Sequence, residues 1–300
     1  YNTGEVSGED YVGGVVGNSN STITNCYYLE NSETDELDGT TEKTAEQFKS
    51  GEVAYLLQGT QTEEIWGQKI GTDDLPVLGG TKVYHVKNCI DESVYSNTDA
   101  NVGHVYENGF CTVCDGYEPA TDENKDGVYE IANAGQLYWF ADKVNNDNAN
   151  FGSANAILTA DIVVNEGKMT AMSTDVRVWT PIGSYDFVEV RMYTGTFNGN
   201  DHTVSGLYLN CETDSSIGLF GYVGKNGVVK NTGVINSYFG GYSRIGGVAG
   251  SNNGTITNCY NTGEFSGEGY VGGLVGFGNG GTITNCYNTG KVSGVQIIGG

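Results

Sequence analysis

Residues 254–263 read GTITNCYNTG, and residues 281–290 repeat that phrase letter for letter. A near-copy, STITNCYYL, occupies residues 21–29. Each copy follows a glycine-rich element: YVGGVVG at 11–17, IGGVAG at 245–250 and YVGGLVG at 270–276. Cys259 and Cys286, which share one position in the phrase, are 27 residues apart. A period of that size marks supersecondary units that cannot bury an apolar face alone and must stack on their neighbours. The reading is a mainly β chain, a parallel β-solenoid (β-helix) with ~27-residue coils. Small helical caps and a Cys/His connector complete it.

The composition agrees. Among 300 residues there are 47 Gly and 20 Tyr but only 3 Pro and 3 Met, which suits many short strands and turns. The glycines recur at fixed places in the repeat, so they are expected at turns or positive-φ corners. The net charge of −23, with only 14 Lys and Arg, excludes phosphate-backbone recognition, so no nucleic-acid partner is expected. No apolar run approaches the ~18–20 residues of a membrane-spanning helix, so no membrane insertion is expected.

Five segments follow along the chain. Residues 1–30 read as the end of a solenoid array, and 31–80 as a C-terminal cap with short helices. Thr44 and Gln47 fit a capping box there. Residues 81–119 form a Cys/His connector, and 120–155 an acidic turn with an N-terminal capping helix. In that helix Leu137, Phe140, Ala141 and Val144 make a one-sided stripe behind Asn133 and Gln136. Residues 156–300 then restart the solenoid, with about five coils of three short strands each. In ITNCY, Ile256 and Cys259 differ in period-2 parity, which predicts a bend at Asn258. Asn231, Asn258 and Asn285 are then expected as an internal amide ladder, with Cys26, Cys259 and Cys286 as a ladder of buried thiols. Cys211 is expected to be another buried thiol.

Tyr1 falls within a repeat, and the two ends of the chain match in phase. Together they predict a longer parent that repeats the whole block in tandem. They also predict end-to-end self-association through open solenoid ends.

The units IGLFGYVG, IGGVAGSNNGTITNCYNTGEFSG and VGGLVGFGNGGTITNCYNTGKVSG resemble the GLUG motif family. Its motifs occur in large bacterial surface proteins, including adhesin-like chains and regions that flank IgA-specific metalloendopeptidase domains. The resemblance implies a secreted or cell-surface bacterial protein whose partner is a host or cell-surface protein or glycan. The implied work is adhesion or a structural stalk for display. It implies no catalytic residue here, because the three His residues form no HExxH motif.

Three residue groups are candidates for chemistry. Asp122, Asn124 and Asp126, ahead of Gly127 and with Glu130 nearby, open like a calcium loop; an acidic β-turn is the alternative. Cys89, His104, Cys111 and Cys114, with His85 as a rival imidazole, have the ligand types of tetrahedral zinc. A Cys111–Cys114 disulfide or plain thiols are the alternatives. Tyr138, Trp139, Trp179 and Tyr185 offer aromatic faces to a carbohydrate, against ordinary core packing. β-Solenoids also occur in polysaccharide-degrading enzymes, but spacing alone brings no carboxylate pair together, and a non-catalytic chain is expected.

Overall fold

The computed structural model describes residues 1–10, 12–30, 39–185 and 190–299. It divides into two compact units, Tyr1–Val105 and Tyr106–Gly300.

The second unit is a parallel β-solenoid of about six turns. One face is a six-stranded sheet in the order Thr282–Thr284, Thr255–Thr257, Val228–Lys230, Thr196–Asn198, Asn155–Leu158, Val128–Ile131. Its first rung, Val128–Ile131, lies ahead of the expected start at residue 156. Each repeat coil contributes to four sheets, not to three strands. After Thr255–Thr257 come Tyr260–Asn261, Glu264–Gly267, Tyr270–Gly272 and Val275–Gly278. A coil of this length therefore turns more often, through shorter strands, than expected.

Register explains the core. Ala156, Phe197, Val229, Ile256 and Ile283 are successive partners on one face. The first four are buried. A second row runs Leu209, Phe239, Phe265, Val292, and the Phe239 and Phe265 rings stack at 5.2 Å. Burying such rows is the main favourable term, at about 25 cal/mol per Å² of apolar surface.

The expected bend is present. Asn258 has φ 54°, and Asn231 and Asn285 match it at 55° and 54°. Asparagine tolerates this left-handed region better than most residues. The glycines behave otherwise. None of the glycines of GTITNCYNTG, IGGVAG or YVGGLVG at 270–276 has positive φ. They permit close approach instead: a Cβ on Gly276 would lie 2.3 Å from the Ile245 nitrogen, and one on Gly250 2.3 Å from the Ser216 carbonyl carbon.

The amide ladder also differs from expectation. Asn258 donates to Asn231 Oδ1 at 3.0 Å, but Asn258 is exposed, so this ladder runs along the outside of the corner. In the repeat coils the buried amides are Asn252 and Asn261, both at 0% exposure. Cys259 is buried and Cys286 half-buried, with the Cys259 backbone N–H directed at Cys286 Sγ at 3.4 Å. Cys26 lies in the first unit, and Cys211 is half-buried beside Thr213.

Helix Ala134–Asn146 closes the start of this solenoid. Asn133 caps it by accepting from Gln136 N at 2.9 Å, while Gln136 Oε1 accepts from Ala132 N at 2.7 Å. Leu137, Phe140, Ala141 and Val144 are buried in the solenoid core, with Phe140 against Tyr193 and Phe197.

In the first unit, Cys26–Leu29 pairs in parallel with Thr40–Lys43. The short helices Ala45–Lys49 and Glu52–Gln58 follow, the first with the expected Thr44/Gln47 capping box. Phe48, Val53 and Leu57 pack with Tyr27. The cap residues 31–38 and Tyr11 of the first YVGGVVG lie outside the described residues.

Candidate functional site

The connector is built from two β-hairpins. Tyr84–Lys87 and Ser93–Ser96 form the first, and its loop holds Cys89. Asn88 organises that loop by accepting from the backbone N–H groups of Ile90 and Glu92, both at 3.0 Å. Tyr106–Glu107 and Phe110–Cys111 form the second, joined by Asn108 and Gly109 at φ 47° and 77°. Two positive-φ residues are what a tight two-residue hairpin turn requires, and Asn-Gly is its preferred pair.

The second hairpin is firmly seated. Gly135 N donates to Asn108 O at 2.9 Å, and Glu118 accepts from Asn133 and Gln136 at the helix start. Phe110 meets Tyr117 and Tyr138 edge-on, with the Arg177 guanidinium 3.6 Å from its ring centre. After Cys111 the chain folds back. Cys111 N donates to Gly116 O at 2.8 Å, and the Cys114 N–H points at Cys111 Sγ at 3.5 Å.

Of the predicted ligands, Cys89 and His104 lie in the first unit and Cys111 and Cys114 in the second. The line between the units, at Val105 and Tyr106, falls inside this connector. The His85 ring stacks on Tyr95 at 5.1 Å within the first unit.

The acidic turn is organised differently. Asp122 accepts from Asp126 N and Gly127 N, Asn124 from Asp126 N, and Asp126 from Val128 N, all at 2.9–3.0 Å. Glu130 sits on the adjoining strand, its N–H donating to Thr121 O. The side-chain oxygens of Asp122, Asn124 and Asp126 thus accept from the turn's own backbone N–H groups.

Two expected sugar-stacking faces are inside the protein. Trp179 is 1% exposed and donates Nε1–H to Gly218 O at 3.0 Å. Tyr138 is buried, and its hydroxyl donates to Val178 O at 2.9 Å. Burial and edge-on packing at 5.0 Å leave neither ring a face for a sugar. Trp139 is half-buried against Tyr129 and Phe151. The side chain of Tyr185 lies outside the described residues.

Sequence spacing missed a cleft of about 650 Å³ in the second unit, lined by Tyr117, Asp142, Asn146, Arg191 and Asp214 among others. These residues come from four separate stretches, so no spacing could have shown it.

The GLUG motif model matches residues 241–266 and 267–293. This stretch carries two GLUG motifs. Over 84 residues the chain is 42% identical to "Halomucin" of Haloquadratum walsbyi, covering 28% of this chain and 1% of that protein. Over 83 residues it is 34% identical to a "Putative Gly-rich membrane protein" of Evansella cellulosilytica, covering 27% and 9%. The chain thus spans a small fraction of the relatives it matches. No solved structure matches it. No helix among the described residues is long and apolar enough to cross a membrane.

Proposed function

We propose that the chain is a non-catalytic module of a secreted or cell-surface bacterial protein, and that its GLUG solenoid serves as a structural stalk that displays neighbouring segments. The observation that carries this reading is how the repeat disposes of its polar groups. Asn261 is bonded to Asn288, Asn258 to Asn231, and the Cys259 backbone N–H to Cys286 Sγ, always onto a neighbouring coil. Side chains engaged in this way build a stack. The acidic surface, with a sequence pI near 4.2, suits a chain that must stay dispersed in solvent. Incubation with a panel of acidic and neutral polysaccharides tests it: the proposal expects no new reducing ends or unsaturated uronates above buffer, and sustained release of either would overturn it.

The cleft favours a second reading, glycan binding without cleavage. Tyr117 could offer an apolar edge, while Asp142, Asn146, Arg191 and Asp214 supply polar groups around it. A glycan array decides between the two. Hits lost on Arg191→Ala would make the module an adhesin; an array without hits leaves the stalk.

A further inference from the structure

We propose that Lys43 and Gln47 join through an intramolecular isopeptide bond, with Glu52 as the acid–base group that moves the protons. All three residues lie in the first unit, where strand Thr40–Lys43 hands the chain to helices Ala45–Lys49 and Glu52–Gln58.

One carboxylate oxygen gathers the reacting groups. Glu52 Oε1 accepts from Lys43 Nζ at 2.5 Å and from Gln47 Nε2 at 3.2 Å. Two nitrogens bonded to one oxygen stand about 5 Å apart at ordinary hydrogen-bond angles. A shift of about 1–2 Å then brings the amine to the ~3–3.5 Å from which it attacks the Gln47 carbonyl carbon. The flexible lysine stem accommodates a movement of that size.

The amide is held the right way round for this. The Thr44 backbone N–H donates to Gln47 Oε1 at 3.0 Å, one half of the capping box. A backbone donor at one end and a carboxylate acceptor at the other fix which atom of the amide is oxygen. The Thr44 N–H also stands where negative charge gathers on that oxygen as the amine adds. The product keeps its carbonyl oxygen, so the helix keeps its cap.

Burial favours the proton transfer that must come first. The Lys43 and Glu52 side chains are only 13% and 18% exposed. The residues next to Gln47 and Glu52 in sequence, Phe48 and Val53, belong to the buried apolar cluster of the first unit. Shielded from water, an ion pair loses much of its advantage over a neutral amine beside a carboxylic acid. A proton passes from Lys43 to Glu52 and frees the lone pair on Nζ.

The bond from Nζ to Gln47 Cδ then forms as the bond from Cδ to Nε2 breaks. A proton leaves Nζ and reaches Nε2 by way of Glu52, and Nε2 departs as ammonia. A carboxyl group in contact with both nitrogens is the relay this exchange requires. Nothing is oxidised or reduced, and no co-reactant enters. The result is a covalent tie between the end of a strand and the helix that follows it.

The test is the intact mass of the purified full chain, followed by tryptic mapping. The wild type should be lighter than its sequence by one ammonia. Trypsin should fail to cut after Lys43, and the peptide that holds both Lys43 and Gln47 should carry the loss. Lys43→Arg, which keeps a cation beside Glu52, should regain the full mass of its sequence, and so should Glu52→Gln. A wild-type chain at full mass after prolonged incubation at neutral pH would overturn the proposal. So would a loss of ammonia that maps elsewhere or persists in Lys43→Arg, or a cross-link undiminished in Glu52→Gln.

Discussion

Asn261 donates its side-chain amide to Asn288 Oδ1 at 2.7 Å, one coil further along the solenoid. The same row carries Val204 and Val234 in the two preceding coils, so the GLUG coils place an amide where their neighbours place an aliphatic side chain. Asn261 also accepts from Gly263 N at 2.8 Å and donates to Gly263 O at 3.3 Å, which closes the corner from inside. An unpaired buried polar group costs about 1–3 kcal/mol. Asn261→Ala should therefore destabilise the second unit by about 1–3 kcal/mol in urea denaturation, since it leaves the Gly263 N–H without its partner and removes one of the bonds of Asn288, which keeps those to Gly290.

The repeat cysteine gives a pH-dependent prediction. Burial, reinforced by the neighbouring Cys286 thiol, pushes the Cys259 thiol from its ordinary 9.0 up to about 12. The folded state then holds a proton that the unfolded chain releases. Its contribution to stability is full below about pH 9 and is lost as pH rises towards 12, at about 1.4 kcal/mol per pH unit. Comparing wild type with Cys259→Ala between pH 8 and 11 isolates this effect from the buried tyrosines. The stability gap should narrow as pH rises; a constant gap would show that the thiol is not protected.

Gly276 tests the account of the repeat glycines. A methyl group there meets the Ile245 backbone nitrogen at 2.3 Å, and backbone cannot turn aside as a side chain can. Gly276→Ala should cost about 3 kcal/mol, at the upper end for overpacking. Gly278→Ala, two residues away with nothing within 4 Å, is the control and should be close to neutral.

The capping helix should matter most to the coils it covers. Phe140 is buried against Tyr193 and Phe197, so Phe140→Ala should cost about 3–5 kcal/mol. Hydrogen exchange should show the loss of protection spreading from the strands Asn155–Leu158 and Thr196–Asn198 before it reaches the GLUG coils, because contacts in a stack are nearest-neighbour.

The repeat period made the solenoid legible, and the parity clash between Ile256 and Cys259 made the bend at Asn258 legible. The same parity reasoning misled on burial. Asn258 turns its amide outward, and Asn261 is the one inside. A left-handed residue at a corner redirects the chain after it, so alternation cannot be counted through the bend. Trp179 and Tyr138 were misplaced for a related reason: composition names an aromatic ring but not the wall it rests against. Spacing could not show that the first hairpin turns His85 onto Tyr95.

Surface shaving tests the central claim, that this is a displayed module of a surface protein, most directly. Intact cells producing the parent protein are treated briefly with protease, and the released peptides are identified against a cytoplasmic marker. The account predicts early release of peptides from the acidic turn around Asp122–Asp126 while the marker stays inside the cells. Peptides from this chain that appear only after lysis, together with the marker, would contradict it.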